Sequence, residues 1–410
     1  MFMKKFRKVV PILTHSIMDK IKIKIVSKHI ICGHGTTEIR CYQPAKYMKS
    51  IGWDVVLGQL YHIVPNGENV IIVHRVLMDD YTRLFLQYAK LSGSLLIYDT
   101  DDLIFNRTGV KDLDTARDWY RRNVDLYATA VSYCDLVSVS TLRLKSHARE
   151  LNSEVNVIRN ALSEKYLYDA EIVYDYRQSK PASSITIGYM SGSRSHDCDF
   201  AVVESALFRI LDERPDVRLV IYGELDFSRE LLKYGEQFEH RNFVEYEKYP
   251  YVFQDVDINI IPLRIDSEFC QSKSEIKYIE AAACGVPSIA SPTQVHKEVI
   301  THGENGLLSD DHEWYEQLIQ YIDDGNLRLL NGVNAREHIQ NKYSPEVRAS
   351  DWSNLIESYL DRTSLISISP HVRLYLIILK ARMLMMIARR KTRAYLSACK
   401  KMLLQSSLVS

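Results

Sequence analysis

From Lys24 onward, short runs of β-branched and aliphatic residues alternate with longer segments whose apolar positions recur every three or four residues. That alternation predicts strands and helices in turn, the pattern of parallel sheets covered by helices. In the first series the predicted strands are Ile25 to Cys32, Asp54 to Leu57, Asn69 to Val73, Ser94 to Tyr98, Asp135 to Val139 and Val155 to Ile158. Between them lie helical stretches such as Asp79 to Leu91 and Asp114 to Ser132, and a helix with Tyr42, Ala45, Met48 and Ile51 on one face. Residues 163–183 show no clear period and end in Lys180-Pro181-Ala182-Ser183, which reads as a linker. A second series opens at Ile185. Its first helix carries Phe200, Val203, Leu207, Ile210 and Leu211 as a stripe. Its later strands are Val217 to Tyr222, Phe243 to Tyr246, Val256 to Ile261 and Val286 to Ala290, with a helix at about Ser274 to Ala283.

The division that follows is a basic extension (1–23), a first Rossmann-like domain (24–165), a linker (166–183), a second Rossmann-like domain (184–362) and a basic amphipathic tail (363–410). The expected fold class is α/β, with two doubly wound domains facing a central cleft; 410 residues suit two domains of ordinary size. Charge sharpens this picture. Residues 1–28 carry a net +7 and residues 363–410 a net +9, which leaves −16 on the body between them. An acidic body argues against a nucleic-acid partner, whereas the basic ends suit an anionic membrane surface. The longest apolar runs are about six residues against the ~20 that span a bilayer, so no transmembrane helix is expected. No secretory signal is read at the N-terminus. Seven scattered cysteines without a CxxC pair indicate neither a disulfide framework nor a zinc site. The expectation is a cytoplasmic protein attached peripherally to the inner face of the membrane.

The most informative stretch runs from Lys273-Ser274-Glu275-Ile276-Lys277 through Glu280 to Cys284-Gly285-Val286-Pro287. It resembles the donor segment of two-domain (GT-B) glycosyltransferases of the group 1, or family 4, type, as found in bacterial surface-polysaccharide synthesis. A helix N-terminus can hold a diphosphate, and a carboxylate about two turns along can accept both ribose hydroxyls of a nucleotide. The resemblance therefore implies Glu280 on ribose, with Lys273, Ser274 and Lys277 near the diphosphate. Many relatives carry a second glutamate eight positions earlier, where this chain has Ser272. Glu268 and Glu275 are the nearby carboxylates, neither at that spacing. The plain alternative is an amphipathic helix with solvated Lys and Glu.

Gly188 to Asp199 is similar to the first strand, loop and helix of the same family's donor domain, so Gly192, Arg194 and His196 are candidate phosphate contacts. His196 could equally hold a loop carbonyl, and Asp199 reads as an N-cap. In the first domain, Asp99, Asp101 and Asp102 cluster at the end of a predicted strand. There a carboxylate could position or deprotonate an acceptor hydroxyl, or the three could simply form a loop. His74 is a further catalytic candidate on the same rim, with Arg75 beside it. Gly33, Gly35 and Glu38 belong to a first loop that in relatives approaches donor and acceptor.

The resemblance implies transfer of a hexosyl or deoxyhexosyl group, with retention of configuration, from a nucleotide-sugar to a glycan or lipid-linked acceptor. No metal or other cofactor is expected, the nucleotide-sugar being a substrate. Two alternatives stay open: a nucleotide-sugar epimerase of the same architecture, and a non-catalytic carbohydrate-binding or scaffold subunit.

Overall fold

The computed structural model describes residues 21–28, 35–111, 118–179, 184–191, 197–360 and 369–406. The first sheet contains β1 (Lys22–Ser27), β2 (Asp54–Gln59), β3 (Val70–His74), β4 (Leu95–Thr100), β5 (Leu136–Val139) and β6 (Val155–Val157), in the order β2-β1-β3-β4-β5-β6. The second contains β7 (Ile185–Met190), β8 (Val217–Tyr222), β9 (Phe238–Arg241), β10 (Ile258–Ile261), β11 (Ser288–Ala290) and β12 (Leu307–Leu308), in the order β12-β11-β10-β7-β8-β9. Each pair of neighbours within the sheets is parallel. Two doubly wound α/β domains are thus present, and each has a point where strand order reverses, between β1 and β3 and between β7 and β10. Crevices form at such points, outside the carboxyl ends of the strands.

Strands buried on both faces read as continuous apolar runs, as Val70-Ile71-Ile72-Val73 does. Ile71, Val73, Leu96 and Tyr98 pack to one side of the first sheet, Val70, Ile72, Leu95 and Ile97 to the other. At the end of β8, Gly223 has φ +90°, and a Cβ there would lie 1.9 Å from the Ser191 carbonyl oxygen. Only glycine lets the two strand ends approach so closely beside the crevice.

Three expectations change. The strand predicted at Phe243 to Tyr246 is absent; β9 lies earlier, at Phe238–Arg241, and Tyr246–Asp255 form a run of 3-10 turns. An edge strand spelled Phe-Glu-His-Arg lacks the apolar run that marks its neighbours. The linker is a helix, Glu164–Ser179, burying Tyr166, Asp169, Ala170 and Val173. Tyr168, Ile172 and Tyr176 stand exposed on its other side, so apolar residues all round erase the period.

The third change is at the C-terminus. The helix Pro345–Leu360, assigned above to the second domain, crosses back to the first, where Trp352, Leu355 and Ile356 pack with Ile23, Ile25, Ala45 and Met48. The basic tail forms one helix, Pro370–Ser406, and docks on the first domain through Leu379, Met383 and Ile387, with Leu376 buried beside them. Among the described residues no helix is long and apolar enough to cross a membrane.

Candidate active site

A cleft of about 440 Å³ lies between the two domains at both reversal points. The first domain contributes Gly35, Thr36 and Ile39 after β1, Arg75 after β3, Asp101 and Asp102 after β4, and Tyr120. The second contributes Met190 and Ser191 at the end of β7, Ile261 and Leu263 after β10, the aromatic stretch Phe243 to Tyr249, and the segment Lys273 to Glu280.

On the second domain the donor helix spans Ile276–Ala283, so Glu280 sits only four residues from its start, nearer than the two turns expected. Glu280 is 6% exposed, and among the described residues no donor hydrogen-bonds its carboxyl group. Burial pushes its pKa up to about 8, opposed only by Lys277. Such a group gains strongly from ligand hydroxyls or from a positive partner. The Lys277 ammonium stands 5.0 Å from the centre of the Tyr189 ring. Lys273 lines the cleft too, with Nζ 2.6 Å from Asp199 Oδ2. Asp199 is therefore a buried ion-pair partner within the helix Asp197–Glu213 rather than its N-cap. Gly285 ends the donor helix with φ +69°.

The two glutamates nearest the Ser272 position face elsewhere. Glu268 is held by Arg143 and His147 of the first domain. Glu275 is wholly buried and accepts from Arg159 at 2.9 Å and from Tyr343 at 2.7 Å. Asn160 Nδ2 donates to Ser274 Oγ at 2.9 Å, and Thr141 Oγ1 to the Ser272 carbonyl at 3.2 Å. This segment is thus the seam along which the domains meet.

On the first domain the acids divide by role. Asp99 is fully buried, accepting from Arg40 Nε at 3.1 Å, from Ser138 Oγ at 2.5 Å and from His74 Nδ1 at 2.8 Å. Burial alone would raise its pKa, but Arg40 and His74 hold it well below the usual carboxylate range. Asp99 is a structural anchor. Asp101 and Asp102 reach the cleft, and both pair with Arg75, whose Nη2 lies 2.5 Å from Asp101 Oδ1 and 2.8 Å from Asp102 Oδ2. Arg75 is the one non-glycine residue with positive φ, +48°, among those described. That backbone setting turns its side chain across the rim. His74 is not among the residues lining the cleft: it is 1% exposed, with Nε2 3.9 Å from Asp101 Oδ1 and without a hydrogen-bond partner among the described residues. Its place is behind Asp101.

Glu38 is also displaced from its expected position. It lines a separate cavity of about 370 Å³ with Tyr42, Lys46, Tyr47 and Tyr246. Glu38 opens the π-helical turn Glu38–Tyr42 and does not line the cleft that Gly35 and Ile39 line. Gly33, Gly192, Arg194 and His196 lie outside the described residues. Tyr120, Phe243, Tyr246 and Tyr249 were not singled out in the sequence; the tyrosine-rich run Tyr246-Glu-Lys-Tyr-Pro-Tyr was the available signal.

Facing parallel sheets with a mixed-charge cleft at both reversal points define the GT-B class of two-domain proteins. Residues 185–324 match the family model described as glycosyl transferases group 1. Over 161 residues it is 28% identical to a GDP-mannose-dependent monoacylated alpha-(1-6)-phosphatidylinositol monomannoside mannosyltransferase of Corynebacterium glutamicum, a match covering 37% of this chain and 42% of that one. The chain therefore spans less than half the length of that curated relative. Among solved structures, sucrose-phosphate synthase of Thermosynechococcus elongatus shares the fold with TM-score 0.61 at 14% identity, over 83% of this chain and all of that one. Anabaena HepE in complex with UDP does so with TM-score 0.58 at 13% identity, over 82% and 100%.

Proposed function

We propose that the protein moves a hexosyl or deoxyhexosyl group from a nucleotide-sugar to a hydroxyl of a glycan or lipid-linked acceptor, with retention of configuration. The observation that carries this reading is Glu280, a buried carboxyl in the interdomain cleft with no donor among the described residues and a raised pKa. Two ribose hydroxyls would give it the partners it lacks. The nucleotide then lies on the second domain, its diphosphate near Ser274 and Lys277, with Tyr246 and Tyr249 forming a wall. Stabilising the leaving nucleotide diphosphate is the contribution that oriented amides and cations supply most directly. Closure along the Ser272–Glu275 seam excludes water from the donor.

The acceptor hydroxyl lies toward Asp101 and Asp102, with His74 behind Asp101 as a positioning residue. The relative's name specifies a GDP-mannose donor and a phosphatidylinositol-linked acceptor, which supports a lipid-linked acceptor here. The basic ends support an anionic membrane surface as a partner, on the cytoplasmic side.

A thermal-shift panel of nucleotide-sugars followed by product analysis tests the reading. A donor present at 100 times its Kd stabilises the fold by about 2.7 kcal/mol. Conversion of that donor without an acceptor to an isomeric nucleotide-sugar would instead identify an epimerase. Binding of no nucleotide-sugar would leave a scaffold or carbohydrate-binding subunit.

A further inference from the structure

The C-terminal helix Pro370–Ser406 has two apolar faces, and the first domain covers one of them. Leu376, Leu379, Met383 and Ile387 form the inward seam, each at most 9% exposed. At 100° per residue the opposite face carries Leu374, Ile378, Met385 and Leu396, which are 48% to 60% exposed. Arg382, Arg389 and Arg393, all exposed, form a row along one flank of that outward stripe. The helix sequence holds nine Lys and Arg and no acid. Two of them, Lys380 beside Asn66 and Arg390 beside Asp79 and Tyr61, serve the docking.

These docking contacts also give the helix a direction. Tyr375 meets Gln87 and Lys380 meets Asn66 at the end of the first domain away from the cleft. Arg390 meets Asp79, which caps the helix Asp80–Leu91 just after β3 and so lies at the cleft end. The helix therefore runs toward the rim that bears His74 and Asp101. Residues 391–398 are exposed, about 12 Å of helix beyond the Arg390 contact.

We propose that the outward face of this docked helix beds into an anionic lipid surface, while its inward face holds the first domain with the acceptor rim toward that surface. The inference rests on the membrane reading above for its occupant and adds the face, the orientation and the route of the acceptor. A stripe of large apolar side chains flanked by arginines is the chemistry that a phosphate-bearing headgroup layer over acyl chains receives. A lipid-linked acceptor would then enter the cleft from the leaflet.

The test is flotation of the full chain with phosphatidylcholine vesicles with and without phosphatidylglycerol. The wild type and the outward-face double variant Ile378→Glu/Met385→Glu are compared, with thermal unfolding of both. The expected result is salt-sensitive binding of the wild type to the anionic vesicles and a loss of at least about tenfold in the double variant, with unchanged unfolding. Anionic-vesicle binding by the double variant equal to wild type would overturn the face assignment and leave the membrane reading standing. Failure of the wild type to bind would overturn both, without touching the transferase reading.

Discussion

Arg143 of the first domain and Glu268 of the second meet in a two-point ion pair, Nε to Oε1 at 2.6 Å and Nη2 to Oε2 at 2.7 Å, with His147 Nε2 2.7 Å from the same Oε1. The hydrogen bonds from Arg143, against a smaller cost of burial, pull the Glu268 pKa down to about 2. The pair joins elements that share no covalent neighbourhood. It therefore reports on whether the domains are closed.

Arg143→Ala should favour the open arrangement. Small-angle scattering is expected to show a larger radius of gyration, and transfer assays a raised KM together with a lowered kcat, because closure serves both binding and exclusion of water. In the unaltered protein the contact is complete above the ordinary glutamate pKa and is lost as pH falls toward 2. An unchanged scattering profile in Arg143→Ala would remove the pair from the closing device.

Glu280→Ala should weaken nucleotide binding at least tenfold by calorimetry at pH above 8, where the carboxylate is ionised and a charge-assisted hydrogen bond is worth roughly 1.5 to 3 kcal/mol. The sign of its pH effect on the unliganded fold is opposite to that of Glu268. With the folded pKa raised to about 8, its contribution is full below about 4.5 and is lost as pH rises through 8. Glu280→Gln should flatten the decline in melting temperature across that window; an unaltered pH profile would contradict the raised pKa.

Asn at Asp101 or Asp102 should depress transfer by about tenfold or more while nucleotide affinity stays near wild type. Each change also frees part of the Arg75 guanidinium. Arg75→Ala should therefore lower activity as well. Full activity in both Asn variants would make the rim a loop without catalytic work.

Asp99→Asn should act on stability. Arg40 is 2% exposed, and Asp99 is its only carboxylate contact among the described residues. Breaking a buried ion pair from one side costs about 3–5 kcal/mol, which urea denaturation would read directly. A variant as stable as wild type would show that the network tolerates loss of its charge.

The α/β alternation, the two domains and the donor segment were legible because each is a local pattern: strand runs, helical periods, and Glu280 three residues from Lys277 on one helix. The acidic rim was legible as a group, but its members were not distinguishable by spacing. Asp99 lies within β4 and turns inward to Arg40, whereas Asp101 lies past the strand's end at Thr100 and meets Arg75, and both partners come from other elements. Glu38 lines a separate cavity, and the π-helical turn it opens leaves no clear mark in composition. Tyr120 and Phe243 come from separate stretches of chain, and only the folded topology brings them to one cleft.

The return of the helix Pro345–Leu360 to the first domain has a consequence for synthesis on the ribosome. The face built by Ile23, Ile25 and Met48 lacks Trp352 and Ile356 until the second domain has been translated. The first domain is thus translated before the second and completed after it. An unfinished chain exposes that apolar face throughout translation of the second domain, a window in which a holding chaperone has a defined surface to occupy.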